Sequence, residues 1–342
     1  MNISLFHGAA RVVLKSGRKR GFIDSVVTSP PYFQKRKYLA ENHPLRGFEI
    51  GRERSLSEYV EHLAGTFQDL IPWLKPTATI FVNIGDTFRN GCSLSVPWEF
   101  KRAMQARGFQ FVQELPWIKS YSTDDGNVGS SRPESAKRRF TVGHEYVLLF
   151  VLDQKKYFLD KSKVSVPLSG VDPKNPQVHV ALKSMGGNAV GNYGGVGKKK
   201  YIDHGAEDPS ALKRRILSRK MDKMLSGDFT ASRRAAWFIP TPNSTGENTA
   251  QGPERLFEIC IQSGSPEKAV ILDPFMGPGT VGRVCLRNGR SFVGIDIDES
   301  MVQEFRDYVM EAGAGKLQRE KKGTFTHYFS NKVQERKWKS IA

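Results

Sequence analysis

Hydrophobic positions along the chain follow two alternating rhythms. Short apolar runs at Ile23–Val27, Ala78–Ile84, Glu145–Leu152, Val270–Leu272 and Ser291–Ile295 have the length and turn-flanked boundaries of buried strands. Between the first two, Leu56, Val60, Leu63, Phe67, Leu70 and Leu74 recur at alternating intervals of four and three, which is one apolar face of a helix. Ser55 and Glu58 have the spacing of a capping box at its start, and Pro76 follows its end. A second helix is predicted from about Val96 to Arg107, closing at Gly108. Strands alternating with helices predict an α/β fold, a doubly wound and mostly parallel sheet covered on both faces.

The rhythm lapses between about residues 160 and 236. "SMGGNAVGNYGGVGKKKY" is rich in Gly and Lys, and "ALKRRILSRKMDKMLSGDFTASRRAAW" is dense in cations with little apolar periodicity. Such a segment is either a solvated loop or an insertion that reads nucleic acid, its backbone near phosphates and its arginines at base edges. Composition favours a polyanionic partner, because 52 Lys and Arg against 35 Asp and Glu leave a net charge of +17. A further basic run from Lys316 to Lys339 carries Phe325, Tyr328, Phe329 and Trp338, and reads as a phosphate-tracking arm or a packed tail. No stretch approaches the roughly 18 consecutive apolar residues of a membrane span, and the N-terminus has no long apolar signal core, so a soluble, cytoplasmic protein is expected. Cys92, Cys260 and Cys285 are widely separated, and His7, His43, His62 and His204 lack ligand spacing, so neither a disulfide framework nor a metal site is expected.

Two stretches carry the chemistry. "DSVVTSPPYF" runs a buried strand into Thr28-Ser29-Pro30-Pro31-Tyr32, where adjacent prolines cannot continue a ladder and fix a rigid turn without backbone donors. A structural turn is the plain reading of that pattern. In "KAVILDPFMGPGTVGRVCLRNGRSFVGIDIDE" a strand ends at Asp273, a glycine turn opens a helix at about Thr280, and a second strand ends at Asp296. Small residues admit a ligand to the backbone, and an acid at the second strand end can accept both ribose hydroxyls. Gly277, Pro278 and Gly279 fall short of a full dinucleotide fingerprint, and a carboxylate at Asp273, expected as an exposed strand-end group, suits a cationic ligand better than a pyrophosphate. S-adenosylmethionine carries both an ammonium and a sulfonium.

Together, "TSPPY" and "DPFMGPGT" resemble the amino-group DNA methyltransferases, with the catalytic motif before the cofactor motif as in the permuted beta group. "FEIGRERSLSEYVEHL", "LKPTATIFVNIGDTF", "PWIKS", "RPESAKRRFTVGHEYVLLF" and "AAWFIPTPNSTGENTAQGPERLFEI" fall in family order between them, and Arg36 and Tyr38 stand at matching positions. The resemblance implies a Rossmann-like S-adenosylmethionine-dependent methyltransferase fold. Its catalytic half would span 1–159, a target-recognition insertion 160–236, the cofactor-binding half 237–313 and a basic tail 314–342. It implies Ser29, Pro30, Pro31 and Tyr32 as catalytic residues. Thr28, Asp273, Pro274, Phe275, Gly277, Gly279, Thr280, Asp296, Ala250 and Pro253 would bind S-adenosyl-L-methionine. Arg36, Lys198, Lys199, Lys200, Arg214, Arg215, Arg233 and Arg234 would contact double-stranded DNA. A monomer or dimer is expected, with a cognate restriction endonuclease as a further partner.

An exocyclic amino group is a poor nucleophile because its lone pair is conjugated into the base. Hydrogen bonds from its protons to the Pro30 carbonyl and the Ser29 hydroxyl would restore nucleophilicity, while Tyr32 stacks on the flipped base, a contact worth about 1–3 kcal/mol in comparable sites. Positioning and electrostatics then carry catalysis, with no covalent enzyme intermediate. The initial Ser favours cytosine N4 as acceptor, where the family's adenine N6 enzymes usually carry Asp or Asn. The adenine enzyme and an inactive DNA-binding relative are the alternatives. Two departures stand out: Ala9 and Ala10 occupy the place of an acid that often holds the cofactor adenine, and Asn248 stands where the family often has His. Asp86 reads equally as a base-pocket residue or a turn cap, and Trp117, Lys119, His144 and Glu145 read as structural.

Overall fold

The computed structural model describes residues 1–16, 21–129, 137–168, 224, 228–241 and 252–316. The described residues fall into two compact units, those within 1–163 and 234–342 and those within 164–233. The larger unit is built on eight strands: β1 (Ile3–His7), β2 (Ile23–Thr28), β3 (Leu74–Ile84), β4 (Gln110–Ile118), β5 (His144–Val151), β6 (Trp237–Phe238), β7 (Val270–Asp273) and β8 (Ser291–Asp296). Their order across the sheet is β1-β8-β7-β2-β3-β5-β4-β6. Every pairing is parallel except the two made by β5, which runs against both β3 and β4. In the smaller unit, Val166–Pro167 pairs antiparallel with Thr230–Ala231.

The central strands are those whose sequences lack polar alternation. Every residue of β2 is buried, and so are the last seven of β3, because helices cover both faces of a parallel sheet. Helix α1 (Ala10–Ser16) follows β1, and α2 (Leu56–Leu70) lays Val60, Leu63, Phe67 and Leu70 into the core. The capping box at Ser55 and Glu58 forms as read. Helix α3 (Val96–Ala106) contributes Phe100, whose ring meets Phe67 at 5.5 Å. Helices α4 (Glu254–Gly264), α5 (Thr280–Arg287) and α6 (Glu299–Lys316) complete the unit.

Pro76 does not follow the helix directly. The chain turns through a short 3-10 segment at Ile71–Trp73 and is already extended at Leu74, so Pro76 lies inside β3, where the register against β2 shifts between Ile23 and Ser25. That irregularity tolerates a residue with no donor. Strands β1, β4 and β6 fall outside the predicted runs. β1 alternates buried and partly exposed positions, and the apolar run of β4 is interrupted by Gln110, Gln113 and Glu114, with only Leu115 and Trp117 buried.

Sheet order reverses between β2 and β7: the chain winds outward from β2 to β3 on one side and from β7 to β8 on the other. Strand ends at such a switch point splay their loops apart and open a crevice.

Candidate active site

The crevice is a cavity of about 1090 Å³ whose wall includes the loops after β1, β2, β3, β7 and β8. Its two halves meet where Thr28 Oγ1, at the end of β2, donates to Asp273 Oδ1 at the end of β7, at 2.6 Å. Phe275 N donates to the same oxygen at 3.0 Å. Asp273 is 2% exposed, so the expectation of an exposed carboxylate is wrong: β7 is a central strand and its last side chain is enclosed. Burial pushes its pKa up to about 7, only partly opposed by the two hydrogen bonds.

One strand further, Asp296 at the end of β8 receives Gly277 N at 2.7 Å and Asp298 N at 2.9 Å. Desolvation raises it to about 6. Pro274, Phe275, Gly277 and Thr280 line the cavity beside these acids, as do Ala9 and Ala10. The two glycines of the turn serve different ends. Gly277, at φ +50°, has open space where a Cβ would stand, whereas a Cβ on Gly279 would collide with the Phe305 ring, so Gly279 admits the packing of α6. Gly279 and Thr28 are therefore behind the wall rather than in it. Pro253 is the N-cap of α4, next to the lining residue Gly252.

On the other side of the switch point, Ser29, Pro30, Pro31 and Tyr32 all line the cavity. Tyr59 of α2 donates its hydroxyl to the Pro31 carbonyl at 2.9 Å, which pins the turn to the helix. Tyr32 donates to Glu145 Oε2 at 2.7 Å. Asn83, 3% exposed at the end of β3, donates its amide to Tyr32 Oη at 3.0 Å and Glu145 Oε2 at 3.0 Å, with Ser29 Oγ at 3.4 Å. Lys119, whose ammonium lies over the Trp117 ring, pairs with Glu145 Oε1. Burial and the Glu145 carboxylate raise the Tyr32 pKa well above the ordinary phenol value, so Tyr32 keeps its proton.

Asn83 carries no signal in the sequence, and Lys119 and Glu145 read there as structural; only the side-by-side placement of β3, β5 and β4 brings them behind Tyr32. Asp86 caps the turn that follows β3, and its side chain also faces the cavity. It accepts from Thr87 N at 2.8 Å and Val96 N at 2.9 Å. Arg36 lies at the cavity wall between Lys35 and Lys37. Arg234 is exposed, while Arg233 Nε, in the smaller unit, donates to Val164 O at 3.0 Å. Lys198, Lys199, Lys200, Arg214, Arg215, Asn248 and Ala250 lie outside the described residues. Among the described residues no helix is long and apolar enough to cross a membrane.

Sheet order, the reversed β5 and the crevice at the switch point define a Rossmann-like methyltransferase fold. Two solved structures share it, each at 16% identity and a TM-score of 0.53: TTHA0409 of Thermus thermophilus in complex with S-adenosyl-L-methionine, covering 95% of this chain and 99% of its own, and PvuII DNA methyltransferase (cytosine-N4-specific), covering 94% of each. The DNA methylase family model for N6 and N4 enzymes matches residues 23–307, and the chain belongs to that family. Among its relatives, Type II methyltransferase M.SmaI of Serratia marcescens is 26% identical, covering 89% of both chains. Type II methyltransferase M.XycI of Xanthomonas campestris pv. cyanopsidis is 24% identical, covering 87% of this chain and 85% of its own.

Proposed function

We propose that this chain is an S-adenosylmethionine-dependent DNA methyltransferase acting on the N4 amino group of a flipped cytosine. The observation that carries the reading is one cavity holding the Ser29–Tyr32 turn and the Asp273 and Asp296 carboxylates, joined by the Thr28–Asp273 hydrogen bond. The wall fits the cofactor: the open space at Gly277 lets backbone approach a ligand, and the acids at two neighbouring strand ends match its ammonium and its ribose hydroxyls. When bound, S-adenosylmethionine supplies an electrophilic methyl group on a sulfonium. Asp273 would hold the ammonium and Asp296 the ribose.

The protein's own part is to orient the amino group. Tyr59 occupies the Pro31 carbonyl, whereas the Pro30 carbonyl takes no donor from the described residues. Pro30 O and Ser29 Oγ would thus accept the two amino protons, turning the nitrogen lone pair toward the methyl donor. Tyr32, held by Glu145 and Asn83, would present its ring to the extruded base. Serine at the head of the turn favours cytosine, and the Type II names of the relatives favour a role beside a restriction endonuclease.

The test is incubation of the purified chain with labelled cofactor and duplex DNA, followed by mass spectrometry of the digested nucleosides. N4-methylcytosine is expected. N6-methyladenine would overturn the choice of base, and absence of methylated nucleosides would overturn the enzymatic reading.

A further inference from the structure

Arg139 and Val142 both belong to the cavity wall, and between them Phe140 leaves its ring 97% exposed. A single apolar side chain in water is ordinary and carries no meaning by itself. This one stands apart in degree. The next most exposed large apolar residue among the described residues, Met1, is at 55%, and the exposed rings of Tyr121 and Phe238 cover each other, with centroids 5.1 Å apart. It also stands apart in how firmly its backbone is tied. Arg139 lays its guanidinium over the Phe88 ring at 4.1 Å and donates from Nη1 to the Phe140 carbonyl at 3.2 Å. Phe88, itself in the cavity wall, begins a short hairpin of Phe88–Arg89 against Cys92–Ser93. Arg89 of that hairpin donates to Gln34 Oε1 at 2.9 Å, two residues past Tyr32. On the other side of Phe140, the Gly143 carbonyl receives Lys119 N at 2.7 Å and Ser120 N at 3.1 Å, and a Cβ on Gly143 would collide with the Ser120 carbonyl. The segment is thus fastened to the cavity at both ends while the ring itself is left in water.

The surroundings of that ring are cationic. Lys137 and Arg138 precede it and are exposed, and Lys35, Arg36 and Lys37 line the same cavity as Arg139. An apolar ring among cations is complementary to duplex DNA, which has phosphates outside and a stack of flat apolar faces inside. When a base leaves the duplex for the Ser29 turn, it opens a gap between its two neighbours. An aromatic ring placed in that gap restores stacking on both sides and blocks the return of the base. On the reading of the site as a DNA methyltransferase, we infer that Phe140 is the wedge that enters the space vacated by the target base, with Lys137 and Arg138 on the flanking phosphates. Phe140 touches neither the reacting nitrogen nor the methyl donor. It is a positioning residue, acting through the balance between stacked and extruded base.

The target site is first mapped by sequencing DNA methylated by the wild type, and two duplexes carrying it are made, one fully paired and one mispaired at the target base. Single-turnover methylation at saturating cofactor is compared on both for the wild type, Phe140→Ala and Phe140→Trp, with melting temperature and cofactor affinity measured alongside. A mispaired base is extruded at least cost, so it needs the wedge least. Phe140→Ala should methylate the paired duplex at least about tenfold more slowly, within the range of one lost stacking contact. On the mispaired duplex it should stay within about threefold of the wild type, and Phe140→Trp should do so on both. Melting temperature and cofactor affinity should not move, because the ring buries almost nothing. Phe140→Ala within about threefold of the wild type on the paired duplex, or slowed equally on both duplexes, would overturn the wedge alone. A wild type that methylates no DNA in the mapping step would overturn the functional reading and the wedge with it.

Discussion

Burial of Asp273 sets folding against ionisation of its carboxyl. Its carboxyl is raised from 3.8 to about 7 by desolvation, so between those values the native state holds a proton that the unfolded chain has lost. Stability of the ligand-free protein therefore falls as pH rises from 3.8 to about 7, and Asp296, raised to about 6, adds to the slope in the same direction. A shift of this size corresponds to something on the order of 4 kcal/mol. The hydrogen bonds from Thr28 and Phe275 both end on Oδ1 of Asp273, which an asparagine reproduces. Asp273→Asn should then melt at a higher temperature than the wild type at pH 8, without ligand, while its affinity for S-adenosylmethionine falls at least about tenfold. Thermal scans and calorimetry check the pair. If Asp273 holds the cofactor ammonium as proposed, wild-type affinity should rise with pH up to about 7, because the ionised carboxylate is the form that pairs with it.

At the scale of elements, the turn after β2 is held from three sides: by Tyr59 from α2, by the Asn83–Glu145 pair from β3 and β5, and by Gly85 just past β3. A Cβ on Gly85 would stand 3.0 Å from Tyr32 Cε2 and 3.2 Å from Glu145 Cγ, so Gly85→Ala should push the ring and its hydrogen-bond partner apart. The expected outcome is a methylation rate lowered at least about tenfold with cofactor affinity unchanged, read from steady-state assays beside calorimetry. The five predicted strands and α2 have mostly apolar runs or a clean four-three spacing, because both faces of each strand, or one face of the helix, are largely buried. β4 is illegible for the converse reason, since its polar residues at Gln110, Gln113 and Glu114 are near the sheet edge. The Ser29 turn and the Asp273 turn are legible as local motifs. The Tyr32–Glu145–Lys119 cluster is not, because it is assembled by strand order, which no local spacing encodes.

At the scale of the whole molecule, the charge of +17 and the basic rim at Lys35, Arg36 and Lys37 suit a phosphate backbone. Each lysine or arginine on a phosphate should contribute roughly 0.9 to the slope of log affinity against log salt. A Lys35/Lys37→Ala variant should therefore flatten that slope by roughly 2, and a Lys198/Lys199/Lys200→Ala variant by roughly 3, with all duplex sequences weakened alike. Arg234→Ala should instead relax sequence preference by about 1–3 kcal/mol if it reads a base edge. Salt titrations on cognate and unrelated duplexes separate the cases, and unchanged slopes would remove these residues from the DNA surface.

The pairing of β1 with β8 joins residues nearly the whole chain apart: Ile3 lies opposite Phe292 and His7 opposite Asp296. β2, made early in synthesis, finds its neighbour β7 only when residue 271 has appeared. A chain still emerging from the ribosome thus holds the complete Ser29 turn while its half-built sheet presents the open edge of β2. Contacts of such long sequence separation form slowly and leave unpaired strand edges exposed meanwhile. The order of the chain, which puts the Ser29 turn first, makes closure of the sheet a late event, and any interruption of translation before residue 296 yields a chain without the Asp296 end of the cavity wall.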